Sequence, residues 1–329
     1  MTRSFIRIGA PTALLVVAGA AAAQSEIYSN GGVTPSDPGL STGATTSGGV
    51  AAPMGFTWSE LQRSPLSESN AVAGFSTHAY AGGVGGAYRF ADDFTVPAGR
   101  VWRLDAAAFF GYQTGAPLPP GASPFAGVSV RIWSGPPGEP GSEVIFGDAS
   151  TNRLTGSSAT TIFRVFNGVL TPLGPAPDTT RLIWKTDADL GATVLGAGTY
   201  WIDWQYTTAA VDGVAFSPPV TKIGQRTEAG WNGQQLKDGE WVAAVDAGKP
   251  DFAPDVAQDF PFILSGIDTC TADFNVDGAI DPDDLGDFIN CYFGETGVPG
   301  TCAAADFNQD GAVDPDDLGD FINIYFGGC

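Results

Sequence analysis

The sequence predicts a mainly β protein: a jelly-roll-like antiparallel β-sandwich followed by a small helical unit at the carboxyl end. Three observations predict it. Between about Gly55 and Gly266, apolar and polar residues alternate in short runs that stop at Gly, Pro or Asn, the pattern of strands with one buried face. The chain carries 45 Gly and 24 Pro, a turn-rich composition suited to many short strands. Near the carboxyl end the period changes: Leu285, Phe288, Ile289 and Tyr292 recur at helical spacing, and so do Leu318, Phe321, Ile322 and Tyr325.

Length and charge narrow the function classes. A chain of 329 residues, 43% hydrophobic and 11% aromatic, can bury one sizeable core and carry a second small unit. A net charge of −21 argues against nucleic acid or an anionic membrane as partner. The charge is uneven, since no Lys or Arg follows Lys249.

The first element, residues 1–23, reads as a secretory signal peptide. Arg3 and Arg7 give a basic start, Ala13 to Gly19 an apolar centre and Ala21 to Ala23 a small-residue cleavage site. The apolar run is too short to span a bilayer, and no other transmembrane segment is expected. The mature chain is expected to start near Gln24 and to be secreted, extracellular or attached to the cell surface. Residues 24–54 are rich in Gly, Ser, Thr, Pro and Ala and read as a flexible leader.

The sandwich is expected over 55–266. Strand runs are Tyr88 to Val96, Val101 to Tyr112, Gly127 to Trp133, Thr160 to Phe166, Arg181 to Lys185, Gly198 to Gln205, Glu240 to Val245 and Phe260 to Leu264. Asn232-Gly233 and Asp238-Gly239 are hairpin signals, because Gly and Asn accept the positive φ such turns need.

Catalytic groups are sparse in this region. The one histidine, His78, has no nucleophile-elbow motif beside it, and there is no zincin helix, phosphate loop or dinucleotide fingerprint. Paired carboxylates can hydrolyse glycosides without histidine, and Asp92, Asp93, Asp105, Glu143 and Asp203 are the candidates. Each reads more simply as a solvated strand residue or a turn acid, so a non-catalytic sandwich is expected and a glycoside hydrolase is the alternative. Trp201 and Trp204, three apart on one strand, must face opposite sides. One of them is a candidate carbohydrate-stacking platform, which would make polysaccharide a ligand and place the protein in polysaccharide catabolism. Core packing is the simpler role.

The unit at 267–329 carries the sharpest signal. Asp273-Phe-Asn275-Val-Asp277-Gly278-Ala279-Ile-Asp281-Pro-Asp-Asp284 recurs as Asp306-Phe-Asn308-Gln-Asp310-Gly311-Ala312-Val-Asp314-Pro-Asp-Asp317, and subtracting 273 from 306 gives a repeat of 33 residues. Calcium takes six to eight oxygens in flexible geometry. Asp273, Asn275 and Asp277 supply oxygens at loop positions 1, 3 and 5, and Gly278 supplies the sharp turn that lets them converge. The Ala279 carbonyl, Asp281 and Asp284 complete the set. In the second copy the roles fall to Asp306, Asn308, Asp310, Ala312, Asp314 and Asp317, so two Ca2+ ions are expected. Asp stands at position 12 where Glu is usual, which draws the following helix closer to the ion. Pro282 and Pro315 suit a first helical turn.

Too few residues precede either loop for an entering helix. A duplicated loop and exit helix of this kind, with Asp at position 12, resembles the dockerin domain. The likeness covers the last fifth of the chain, and the ending Gly328-Cys329 is similar to a variant found at the carboxyl end of secreted bacterial proteins. The resemblance implies calcium-dependent docking to a cohesin-like or other cell-surface protein. Partner choice in the family leans on loop positions 10 and 11. These are Pro282-Asp283 and Pro315-Asp316 rather than small hydroxylated pairs, so a conventional cohesin is not implied.

All four cysteines, Cys270, Cys291, Cys302 and Cys329, fall in this unit, and an even number in a small secreted unit reads as two disulfides. Three pairings are open. The expected one clasps the unit's ends through Cys270–Cys329 and closes the inter-repeat loop through Cys291–Cys302.

Overall fold

The computed structural model describes residues 25–32, 39–64, 66–77, 88–115, 121–165, 176–210, 213–294, 302–307 and 312–327. Residues 1–23, expected to be a signal peptide, and His78, Asn308, Asp310 and Cys329 lie outside the described residues. In chain order the strands are β1 (Ser25–Ser29), β2 (Thr46–Ser47), β3 (Val50–Ala51), β4 (Thr57–Ser59), β5 (Phe75–Ser76), β6 (Arg89–Val96), β7 (Arg100–Gly111), β8 (Phe125–Trp133) and β9 (Val144–Gly147). They continue as β10 (Leu154–Arg164), β11 (Leu182–Leu195), β12 (Gly198–Thr208), β13 (Phe216–Ser217), β14 (Gln234–Lys237), β15 (Glu240–Ala243), β16 (Val245–Asp246), β17 (Val256–Ala257) and β18 (Phe262–Cys270). Two helices follow, α1 (Pro282–Tyr292) and α2 (Pro315–Gly327). The protein is mainly β with a small helical part at the carboxyl end.

Two six-stranded sheets form the sandwich. The first runs β1-β18-β7-β11-β10-β4 and the second β15-β14-β6-β12-β8-β9. Pairing is antiparallel throughout both sheets except between β10 and β4. Successive long strands cross between the sheets, β6 to β7, β7 to β8, β9 to β10 and β11 to β12. The alternation read from the sequence explains the core. Phe90, Phe94, Ile132, Ile202 and Trp204 face inward from the second sheet against Leu104, Phe109, Leu182, Phe262 and Leu264 of the first. Each such side chain contributes about 1.5–3 kcal/mol by leaving water. Phe109 on β7 and Trp204 on β12 stack across the interface with centroids 4.6 Å apart.

The flexible leader is corrected. β1 lies within it and pairs with β18 from Ser25↔Gly266 to Ser29↔Ile263. Tyr28 packs its ring on Phe94, Trp102 and Phe262. Leu40 is buried against the outer face of the first sheet with Phe110, Ile183 and Ile263. Small polar neighbours hide these apolar residues in composition, but a few well-placed side chains suffice to dock a segment on a waiting sheet.

Three other expectations change. β11 continues past Lys185 to Leu195 because Ala188, Leu190 and Leu195 keep facing the core across an irregularity at Gly191 and Ala192, both at positive φ. Asp238-Gly239 is the two-residue turn joining β14 to β15, both residues at positive φ. Asn232-Gly233 makes no hairpin. A Cβ at Gly233 would stand 2.6 Å from the Gln258 carbonyl, so glycine there serves a close backbone approach. Finally, β18 runs through the expected domain boundary at 266 and ends at Cys270, three residues before the first duplicated loop.

Candidate metal centre

The first loop forms as its residue types require. Gly278 sits at φ +99°, and the chain turns there. The loop's own amides hold its acids. The Asp273 carboxylate accepts from Asp277 N at 3.0 Å and Gly278 N at 2.8 Å. Asn275 Oδ1 accepts from Asp277 N at 3.0 Å, and Asp277 Oδ1 from Ala279 N at 2.9 Å. Asp281 caps α1, accepting from Asp283 N at 2.9 Å, with Pro282 following in the first turn. Asp284 reaches back to Asp281 N at 2.8 Å and across the loop to Asn275 N at 3.1 Å. Position 12 is therefore also the closing member of a capping box.

The second loop repeats these contacts where it is described. Asp317 accepts from Asp314 N at 2.8 Å and Phe307 N at 2.7 Å, and Asp314 accepts from Asp316 N at 2.9 Å. Asp306 and Ala312 are described; Asn308 and Asp310 are outside the described residues.

Phe288 and Phe321, equivalent residues of the two repeats, stack with centroids 4.2 Å apart and planes 7° from parallel. Phe274 and Phe307 meet this pair edge-on from either side. The repeats thus pack as a pseudo-symmetric pair about one aromatic stack. Cys291–Cys302 links the end of α1 to the short 3₁₀ turn Cys302–Ala305. Cys270 is also disulfide-bonded.

Electrostatics separate these acids from ordinary surface acids. Asp273 and Asp284 are buried, yet among the described residues neither has an arginine or lysine within ion-pair distance. Burial, with the Asp284 charge nearby, raises the Asp273 pKa although the loop amides oppose the shift. Among the described residues, no three Asp, Glu, His or Cys side chains stand close enough to hold a metal by themselves. The donor set read from the loop also needs the Asn275 amide and the Ala279 carbonyl. All its donors are hard oxygens, and its buried acids lack a compensating cation, so the residues present fit Ca2+.

The chain matches no family model, no curated protein and no solved structure.

The sandwich candidates are scattered. Asp92 is buried on the core side of β6, held by Phe260 N at 2.6 Å and Asn30 Nδ2 at 3.1 Å. Asp93, next along the strand, faces the other way. Asp203 is buried on β12 with both oxygens engaged, Oδ1 by Arg89 Nε at 2.5 Å and Oδ2 by Arg131 Nε at 2.8 Å and by the Trp133 indole N–H. Asp105 forks with Arg103, and Glu143 is exposed beside β9. Trp204 lies in the core and Trp201 is only 4% exposed, so neither ring presents an open face for a sugar.

Sequence reasoning missed Arg103. Its Nη1 donates to the Val276 carbonyl at 3.0 Å, tying the first loop to β7. The signal that could have found this contact is the one change inside the loop's first half. Val276 corresponds to Gln309 in the second repeat, while the ligand types on either side are unchanged.

Proposed function

We propose that this is a secreted, non-catalytic protein in which a dockerin-like carboxyl-terminal module, folded around two Ca2+ ions, docks the β-sandwich to a cell-surface partner. One observation carries the reading: among the described residues, the buried carboxylates at loop positions 1 and 12, Asp273 and Asp284, have no arginine or lysine within ion-pair distance. Uncompensated buried charge is costly, and a divalent cation is the remedy that the donor set offers. When bound, Ca2+ supplies a positive charge beside these buried acids. The chain's own residues do the rest. Gly278 turns the loop, the loop amides aim Asp273 and Asn275, and Asp281 starts the helix that carries Asp284.

The docking half of the proposal is supported by apolar residues exposed twice at the same repeat position. Phe293 and Phe326 are each 76% exposed, and Ile289 and Ile322 each 37%. Such residues at corresponding places on two helices suit a protein partner. No helix among the described residues is long and apolar enough to cross a membrane.

Titration calorimetry of the oxidised full chain tests the calcium half. Two equivalents of Ca2+ should bind, and the helical signal should melt higher in calcium than in chelator. An absence of heat, with identical melting curves, would end the proposal. Substituting Phe293 and Phe326 together by Ser tests docking: capture of the surface partner should fall while calcium binding stays.

A further inference from the structure

We infer that Arg103 on β7 positions the first loop, so that filling this loop with Ca2+ is thermodynamically linked to the stability of the sandwich. The inference rests on the calcium reading above. It comes from the contacts of one side chain. Arg103 donates through Nη1 to the Val276 carbonyl at 3.0 Å, and through Nε and Nη2 to the two oxygens of Asp105 at 3.1 and 3.3 Å. Val276 is loop position 4, 4% exposed and at φ +55°. A β-branched residue holds that conformation only where its surroundings impose it. Here the loop's own hydrogen bonds from Val276 N and Asp277 N set the turn, and Arg103 fixes the carbonyl that the turn presents to the sandwich.

Two further observations agree. A Cβ built on Gly278 would stand 3.7 Å from Ile267 Cδ1, so the loop's turn lies against β18. Asp273 N donates to the Cys270 carbonyl at 3.0 Å, which joins the loop to the end of that strand without a slack linker. An arginine near a cation site would ordinarily oppose the ion. Asp105 neutralises this one, so its effect on the loop is that of a fixed donor on a backbone carbonyl. The second repeat has Gln309 where the first has Val276, a residue suited to water rather than to a sheet. The two loops are therefore unequal by construction: the first is pre-shaped by the sandwich, and binding there stabilises what shapes it.

All eight tryptophans precede residue 242, so tryptophan emission reports the sandwich alone. In the full chain, calcium should raise the tryptophan-detected melting transition, and calorimetry should resolve two unequal sites. Arg103→Met should weaken the tighter site about tenfold, leave the other unchanged and remove the calcium dependence of tryptophan-detected melting. Asp105→Asn, which leaves the guanidinium charge uncompensated, should weaken the same site. If Arg103→Met loses its cooperative melt, Arg103→Lys serves instead: it keeps the charge but not the fork that spans Asp105 and the Val276 carbonyl, and it should weaken the same site. Equal sites in the wild type, or Arg103→Met behaving as wild type, would overturn the linkage while sparing the calcium reading. No binding heat in the wild type would overturn both.

Discussion

At the scale of single residues, the same carboxylate can serve two purposes. Asp284 accepts two backbone N–H bonds that close the first turn of α1, and it is a proposed calcium ligand. Asparagine keeps one accepting oxygen but removes the charge. Without calcium, Asp284→Asn should therefore change the module's stability little, because loss of a buried charge offsets loss of one of the two accepted N–H bonds. With calcium, it should lose one of the two binding equivalents. Chemical denaturation in chelator and calorimetry in calcium measure the two effects separately.

Asp92 and Asp259 give a pH dependence of definite sign. Burial raises Asp92 well above the usual carboxylate range, and it pushes Asp259 up to about 6. A raised carboxyl pKa means that the folded state holds its proton more tightly. The stabilisation is complete below the ordinary value of 3.8 and is lost as pH rises through about 6. In chelator, tryptophan-detected melting should thus be higher at pH 5 than at pH 7, and Asp259→Asn should flatten the difference. Asp148 works in the opposite direction: hydrogen bonds from Thr151 and Ser150 hold it well below the usual range. Its contribution is present above 3.8 and lost only in stronger acid, outside this window.

At the scale of elements, the module depends on one stack. Phe288 and Phe321 face each other across the repeat, and Phe274 and Phe307 close the sides. Phe321→Ala leaves a cavity at the shared centre, which costs about 3–5 kcal/mol for a large aromatic. So small a core cannot absorb that loss without metal. The mutant's helical signal near 222 nm should be weak in chelator and recover in excess calcium, since binding to the folded form pulls the equilibrium back. A helical signal equal to wild type in chelator would show that the stack contributes little.

At the scale of the whole molecule, charge and attachment decide behaviour. No cation follows Lys249, so much of the −21 net charge lies in a small module. In chelator, added sodium chloride should raise the melting temperature of the helical signal by screening these acids, and in calcium the gain should shrink. Attachment sets the module's bearing. β18 is hydrogen-bonded to β7 until Cys270, and the first loop begins three residues later. A docked partner would therefore hold the sandwich in a set direction rather than on a flexible tether.

Much of this was legible in the chain because its causes are local. The strand runs, the Asp238-Gly239 turn, the proline starts of both helices and the Gly278 turn each depend on residues a few positions apart. The two-sheet sandwich followed from alternation, since period two with a buried face leaves few other packings. Three things waited for the tertiary structure. Composition alone marked residues 24–54 as a leader, yet Tyr28 and Leu40 are placed by sheets built from distant residues. Trp201 was open to either reading until the fold buried it. Arg103 and Val276 lie 173 residues apart. The proposed ligand types in the repeated loops were written in the sequence because each loop closes on itself. What holds the first loop in place was not, because that contact exists only after two separate stretches of chain have packed together.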